Sequence, residues 1–213
     1  MDKKVCFFDM DGTLIDSMTR AWNEVILRFL DERGISYPDD IITNLVTRGF
    51  MGIAKHYVEY YGVDMTPQEL YDWFMVELES MYQHSFPLKE GAKELLLSLK
   101  EKGYEVNVIS GSPLRFVVPC FKRLEIFDII DNILSIEEFK LTKSDKELFI
   151  KLAEKTKANV NDCIVFDDSV NAIKTAKSAG LKTVGIYEEA VKNTWEEMQL
   201  VADKTIKSFK ELL

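Results

Sequence analysis

The sequence predicts an α/β protein built on a doubly wound parallel sheet, and three features predict it. Short, mostly apolar runs recur at Val5-Cys6-Phe7-Phe8, Val106-Asn107-Val108-Ile109 and Cys163-Ile164-Val165-Phe166. Each has strand length and ends at turn-forming or polar residues, the pattern of strands buried on both faces. Stretches with helical periodicity lie between them, and such alternation makes a parallel sheet flanked by helices. Each run also ends in residues fit for chemistry, Asp9, Ser110 and Asp167, at the carboxyl end where open α/β sheets keep their sites.

Taken in order, the first strand gives way to an apolar stripe of Trp22, Val25, Ile26, Phe29 and Leu30 that ends near Gly34. A short helix around 40–47 follows, then helices over 53–61 and 67–84. Thr66 and Pro67 form a start signal for the last, as N-cap and first helical residue. These four helices interrupt an otherwise regular β-α chain, so residues 16–84 read as a helical insert and 1–15 with 85–213 as the core. A helix over 91–102 closes on Gly103 before the strand to Ile109. A helix over 114–124, an apolar segment at 132–135 and a helix over 144–156 lead to the strand at 163–166. A helix over 170–179 ends at Gly180, a strand follows at 182–186, and the tail 200–213 supplies a short strand and a terminal helix.

Composition excludes several classes. The chain has 213 residues, 46% apolar and 30% charged, and a formal net charge of −9. That charge argues against a nucleic-acid or anionic-membrane surface. No stretch approaches the ~18 apolar residues of a membrane span. Met1-Asp2-Lys3-Lys4 leads straight into the first strand, so no signal peptide is expected and the expected location is cytoplasmic. Cys6, Cys120 and Cys163 show no paired spacing and read as small core residues.

The motifs carry the chemistry. Strand alternation directs Asp9 and Asp11 the same way, and two like charges so close need a cation, a shared proton or a functional reason. Asp9-Met10-Asp11-Gly12-Thr13 alone can also be a turn. Ser110 opens Ser-Gly-Ser after the second strand, where its hydroxyl and the backbone N–H groups around Gly111 offer a phosphate cradle. Lys143 lies in a lysine-rich stretch, six residues before Phe149. Asp167-Asp168-Ser169 can cap the following helix as well as bind.

In this order the four motifs resemble those of the haloacid dehalogenase superfamily, specifically its aspartate-nucleophile phosphatases, and the resemblance covers nearly the whole chain. It implies a Mg²⁺-dependent phosphomonoester hydrolase acting on a small phosphorylated metabolite, a sugar phosphate or a phosphoglycolate-like acid. It implies Asp9 as nucleophile and Asp11 as general acid and base. The implied metal ligands are Asp9, the Asp11 backbone carbonyl and Asp168, with Asp167 direct or through water. The implied phosphate contacts are Ser110, Gly111, Lys143 and Thr13. In an acidic protein, such a site needs local Lys and metal charge to draw the anion in. One departure stands out: the superfamily has proline after the motif lysine, whereas here Ser144 follows Lys143 and is positioned to cap the helix instead.

The insert resembles the small helical cap of the subfamily containing phosphoglycolate phosphatases and β-phosphoglucomutases. Its loop 47–52 is expected to reach the site, with Arg48 contacting the leaving group. Two other chemistries of the subfamily are opened by the sequence. Met51-Gly52-Ile53-Ala54-Lys55 is similar to the segment holding the Schiff-base lysine of phosphonoacetaldehyde hydrolases, which however lack an aspartate at the position of Asp11. Mutases of the subfamily carry a histidine where this chain has Ala21, which favours hydrolysis over isomerisation. A binding-only role would be accompanied by loss of a motif residue, and none is lost. A monomer or homodimer is expected.

Overall fold

The computed structural model describes residues 3–46 and 48–213. The strands are β1 (Val5–Asp9), β2 (Glu105–Ser110), β3 (Asn132–Ser135), β4 (Cys163–Asp167), β5 (Lys182–Ile186) and β6 (Lys204–Ile206). All pair in parallel, in the order β3-β2-β1-β4-β5-β6. The chain builds outward from β1 through β2 to β3, then returns to lay β4 on the other side of β1. That reversal leaves a crevice at the carboxyl ends of β1 and β4, where a doubly wound sheet binds its ligands.

Alternation along the strands divides the interior into two cores. Cys6, Phe8, Val106, Val108 and Phe166 face one, and Val5, Phe7, Ile109, Cys163 and Val165 face the other. Phe8 stacks on Phe166 with ring centroids 4.2 Å apart. The polar interruption of β2, Asn107, is buried and accepts a hydrogen bond from Asn132 Nδ2 at 2.7 Å. The three cysteines are buried and free, as expected of core residues.

Between β1 and β2 lie α1 (Met18–Ala21), a π-helical turn (Trp22–Leu27), α2 (Arg28–Asp31), α3 (Ile41–Leu45), α4 (Gly49–Tyr61) and α5 (Pro67–His84). The stripe from Trp22 to Leu30 is buried, and Thr66 starts α5 with a full capping box to Glu69. α4 begins four residues earlier than the sequence suggests. Gly49 and Gly52 argue against helix there, but a Cβ on Gly52 would stand 2.9 Å from Arg48 Cβ, so the small residue fits the packing of that first turn. Thr47, in the segment expected to reach the site, lies outside the described residues.

The remaining helices are α6 (Ala92–Glu101), α7 (Leu114–Arg123), α8 (Lys146–Lys155), α9 (Val170–Ser178) and α10 (Trp195–Val201). α10 is not legible in the sequence reading, and the expected terminal helix is a 3-10 turn over Phe209–Leu212. Ser144 does not cap α8; Asp145 stands at the N-cap position without capping the helix, its Oδ2 instead accepting from Thr142 N at 2.7 Å and Thr142 Oγ1 at 2.8 Å.

The two crossings between sheet and insert run side by side. Asp16 N donates to Pro87 O and Lys89 N to Leu14 O, each at 2.9 Å. Buried Glu188 ties both down, accepting from Thr19 Oγ1 at 2.9 Å and pairing with Lys89 at 2.7 Å. Among the described residues, no helix is long and apolar enough to cross a membrane.

Candidate active site

β1 delivers Asp9 and β4 delivers Asp167 to neighbouring strand ends, and Asp168 follows at once. All three carboxylates are buried, and each offers an oxygen within 4.8 Å of the others. Lys143, on the loop before α8, donates to Asp9 Oδ1 and, at 2.7 Å, to Asp167 Oδ2. Asp167 Oδ1 accepts from Ser169 N at 2.9 Å, and the Ser169 hydroxyl caps α9. The acidic pair and the capping serine therefore serve the site and the helix together.

Electrostatics show what the cluster requires. Burial, opposed by Lys143 and reinforced by Asp167 and Asp11, lifts the Asp9 carboxyl to about 7. Burial, then the charges of Asp9 and Asp167, push Asp168 well above the carboxylate range. Burial also works against the Lys143 ammonium, yet Asp167 and Asp9 outweigh it and hold its pKa above the usual lysine value. Fully ionised, the three carboxylates would exceed the one ammonium by two negative charges, an excess that the raised values of Asp9 and Asp168 oppose. A hard divalent cation with oxygen ligands balances that excess, so the donor set fits Mg²⁺.

The turn after β1 shapes the rest. Met10 O accepts from Leu14 N at 2.9 Å and Ile15 N at 3.0 Å, folding the chain back sharply. Asp11 lies in this turn beyond the end of β1, close enough for its charge to raise the Asp9 pKa, and its carboxylate has hydroxyl partners of its own. Its Oδ1 accepts from Ser17 Oγ at 2.7 Å and Tyr82 Oη at 2.6 Å, and its Oδ2 from Ser112 Oγ at 2.7 Å. Thr13 is fully buried; its hydroxyl donates to Asp168 Oδ1 and accepts from Asp168 N, both at 3.1 Å. In this arrangement Thr13 steadies a carboxylate.

Gly12 sits at φ +79°, and a Cβ there would lie 2.7 Å from Asp168 Oδ2. Gly12→Ala therefore combines a left-handed backbone with a collision against a buried carboxylate, and should cost about 2 kcal/mol or more. Chemical denaturation checks this, with a weaker response of the variant's melting temperature to added Mg²⁺.

Ser110 is buried at the end of β2, its Oγ accepting from Ser112 N at 2.9 Å, and Gly111 is exposed beside it. Arg48 stands exposed as the N-cap of α4 and donates from Nε to Asn44 O at 3.1 Å. Lys55 is exposed on α4. One cavity borders the carboxylate cluster and another borders the hydroxyl partners of Asp11. The first, of about 420 Å³, is lined by Asp168, Thr43, Asn171, Asn193 and Glu197, among others. The other, about 170 Å³, lies among Phe50, Tyr71, Leu78, Tyr82, Ser112 and Glu137. Sequence reasoning missed Ser17, Tyr82 and Ser112. Ser112 stood in the Ser-Gly-Ser motif; for Tyr82, one more apolar-face residue of α5, no local signal existed.

The geometry can be set beside known proteins. Hexitol phosphatase B of Escherichia coli (strain K12) is 26% identical over 207 residues, spanning 96% of this chain and 92% of that protein. A phosphoglycolate phosphatase of Psychrobacter arcticus is 24% identical over 194 residues, 87% of this chain and 84% of its own. A crystal structure of a predicted phosphoglycolate phosphatase from Haemophilus somnus 129pt superposes with a TM-score of 0.82 at 20% identity, covering 100% of this chain and 97% of that one. The model of the haloacid dehalogenase-like hydrolases matches residues 3–180, a stretch that runs from the strand bearing Asp9 through Ser110 and Lys143 to the helix behind Asp168. The chain belongs to that family.

Proposed function

We propose that this chain is a Mg²⁺-dependent phosphomonoester hydrolase for a small hydroxylated metabolite, a sugar phosphate, hexitol phosphate or phosphoglycolate-like acid. The observation that carries the reading is the meeting of Asp9, Lys143 and Asp167, the last two 134 and 158 positions after the first, with Asp168 in one buried cluster. A structural ion pair needs one partner for each charge; this cluster holds a surplus of acid at a strand-end crevice. The cavity of about 170 Å³ beside Asp11's partners supports a small leaving group. The relatives named for hexitol and phosphoglycolate point to the same class.

In this reading Asp9 attacks phosphorus, forming an aspartyl-phosphate as the bond from phosphorus to the leaving oxygen breaks. Asp11 gives its proton to that oxygen, then takes one from the water that attacks phosphorus, freeing phosphate and Asp9. Lys143, fixed between Asp9 and Asp167, holds positive charge against the oxygens of the transferring group. Ser110 and the backbone around Gly111 cradle the same group. Asp9, Asp168 and the Asp11 carbonyl would hold Mg²⁺, with Asp167 beside them, and the ion supplies neutralisation of the phosphate dianion. The insert 16–84 acts as a cap that excludes water and selects the leaving group. Exposed Lys55 and buried Ala21 give the Schiff-base and mutase alternatives no support.

Phosphate release from a panel of hexitol phosphates, hexose phosphates, phosphoglycolate and nucleotides, with Mg²⁺ and with chelator, tests the reading. Release should require Mg²⁺ and favour the small hydroxylated esters. Full activity in chelator would remove the metal from the account. Mg²⁺ should also raise the melting temperature by mass action, by about 2.7 kcal/mol of stability at a hundredfold excess over Kd.

A further inference from the structure

We propose that Tyr82 is a positioning residue for Asp11, reaching from the helical insert to fix, with Ser112, the direction in which that carboxyl group delivers its proton. The inference rests on the reading of Asp11 as general acid.

Three hydroxyls meet Asp11: Tyr82 Oη and Ser17 Oγ on Oδ1, Ser112 Oγ on Oδ2. Tyr82 Oη also lies 3.1 Å from Ser112 Oγ, so the two hydroxyls that donate to opposite carboxylate oxygens stand side by side. A carboxyl group held at one oxygen can still swing about its Cβ–Cγ bond; held at both, it has one orientation. The Tyr82 hydroxyl is itself fixed. Its ring stacks on Phe116 at 5.3 Å and meets Phe86 edge-on at 4.9 Å. Its backbone is tied to α7, Arg123 Nη2 donating to Tyr82 O at 3.2 Å and to Phe86 O at 2.5 Å. The side chain is 6% exposed, so the short bond from Oη to Asp11 is made out of competition with water.

The location matters as much as the contact. Tyr82 belongs to the last turns of α5, Asp11 to the turn after β1, and Ser112 to the loop that follows Ser110 at the end of β2. Tyr82 and Ser112 both line the cavity of about 170 Å³. The acid's geometry is therefore set jointly by insert and core at the place where a leaving group would stand. Ring packing alone would satisfy a phenylalanine; the hydroxyl is the part that packing does not explain.

The test is Tyr82→Phe, which keeps the ring and removes one oxygen, assayed on phenyl phosphate and on p-nitrophenyl phosphate. The ratio kcat/KM reports steps up to departure of the leaving group, and only the poorer leaving group, phenolate, depends strongly on the proton. The expected result is about a tenfold fall on phenyl phosphate and no more than about a twofold fall on p-nitrophenyl phosphate. Ser112→Ala should show the same split, and Tyr82→Phe placed on Asp11→Asn should add nothing further. An equal fall on both esters, no fall on either, or additive losses in the double variant would overturn the proposal. Asp9→Asn, run alongside, separates the two levels: if it retains turnover, the hydrolase reading itself fails, whatever Tyr82 does.

Discussion

Replacing Asp9 by asparagine should lower kcat by at least about 10⁴-fold, because losing a nucleophile removes the reaction path and not merely part of its stabilisation. The fold should survive. Burial, reinforced by neighbouring acids, lifts the Asp9 pKa to about 7, and asparagine fills the same space without the charge, while Lys143 keeps Asp167 as partner. In chelator, the parent's Asp9 binds a proton more tightly folded than unfolded. A folded pKa of about 7 against an ordinary value of 3.8 means that stability falls as pH rises through that window. The asparagine variant lacks this penalty, so its stability advantage in chelator should grow between those two pH values. Urea melts at several pH values measure it. Retained hydrolysis would remove Asp9 from the nucleophile's place.

Lys143→Met should be the most damaging single change to the site as a whole. The ammonium bridges Asp9 and Asp167 at one edge of the acidic cluster, and methionine matches its length without its charge. Removing one partner of a buried pair costs about 3–5 kcal/mol, since the remaining carboxylates lose their compensation. Activity should fall by about 10³-fold or more, through loss of charge at the transferring group. The two effects can be told apart: added Mg²⁺ restores charge balance and should recover part of the stability but little of the turnover. If Lys143→Met matches the parent in both respects, the lysine is a bystander on the loop before α8.

The sheet was legible because its central strands are buried on both faces and announce themselves as mostly apolar runs. Thr66-Pro67 and Gly103 marked element ends equally well, since capping and turn chemistry is local. α10 escaped because Trp195, Met198 and Leu200 are too few to set a period, and Leu200 stays exposed. The start of α4 escaped because its two glycines disfavour helix in isolation and are accommodated only by packing. The same division holds in the site. Asp9, Lys143, Asp167 and Asp168 meet as the motif order suggested, each being carried by a strand end or its adjoining loop. Asp11's hydroxyl partners could not be read, because they stand 6, 71 and 101 positions from it in sequence. Thr13, expected among the phosphate contacts, is hydrogen-bonded to Asp168, a partner 155 positions away that its local sequence does not announce. Tyr82 was hidden in the apolar face of α5, where nothing in the local pattern separates a packed ring from one whose hydroxyl reaches Asp11 from 71 positions away.

Acid quench of the enzyme during turnover, borohydride reduction and peptide mass spectrometry test the central claim most directly. Reduction converts an aspartyl-phosphate to homoserine, and the account predicts that conversion at Asp9 alone, dependent on substrate and Mg²⁺. Homoserine at another aspartate, or sustained turnover with Asp9 never modified, would contradict it.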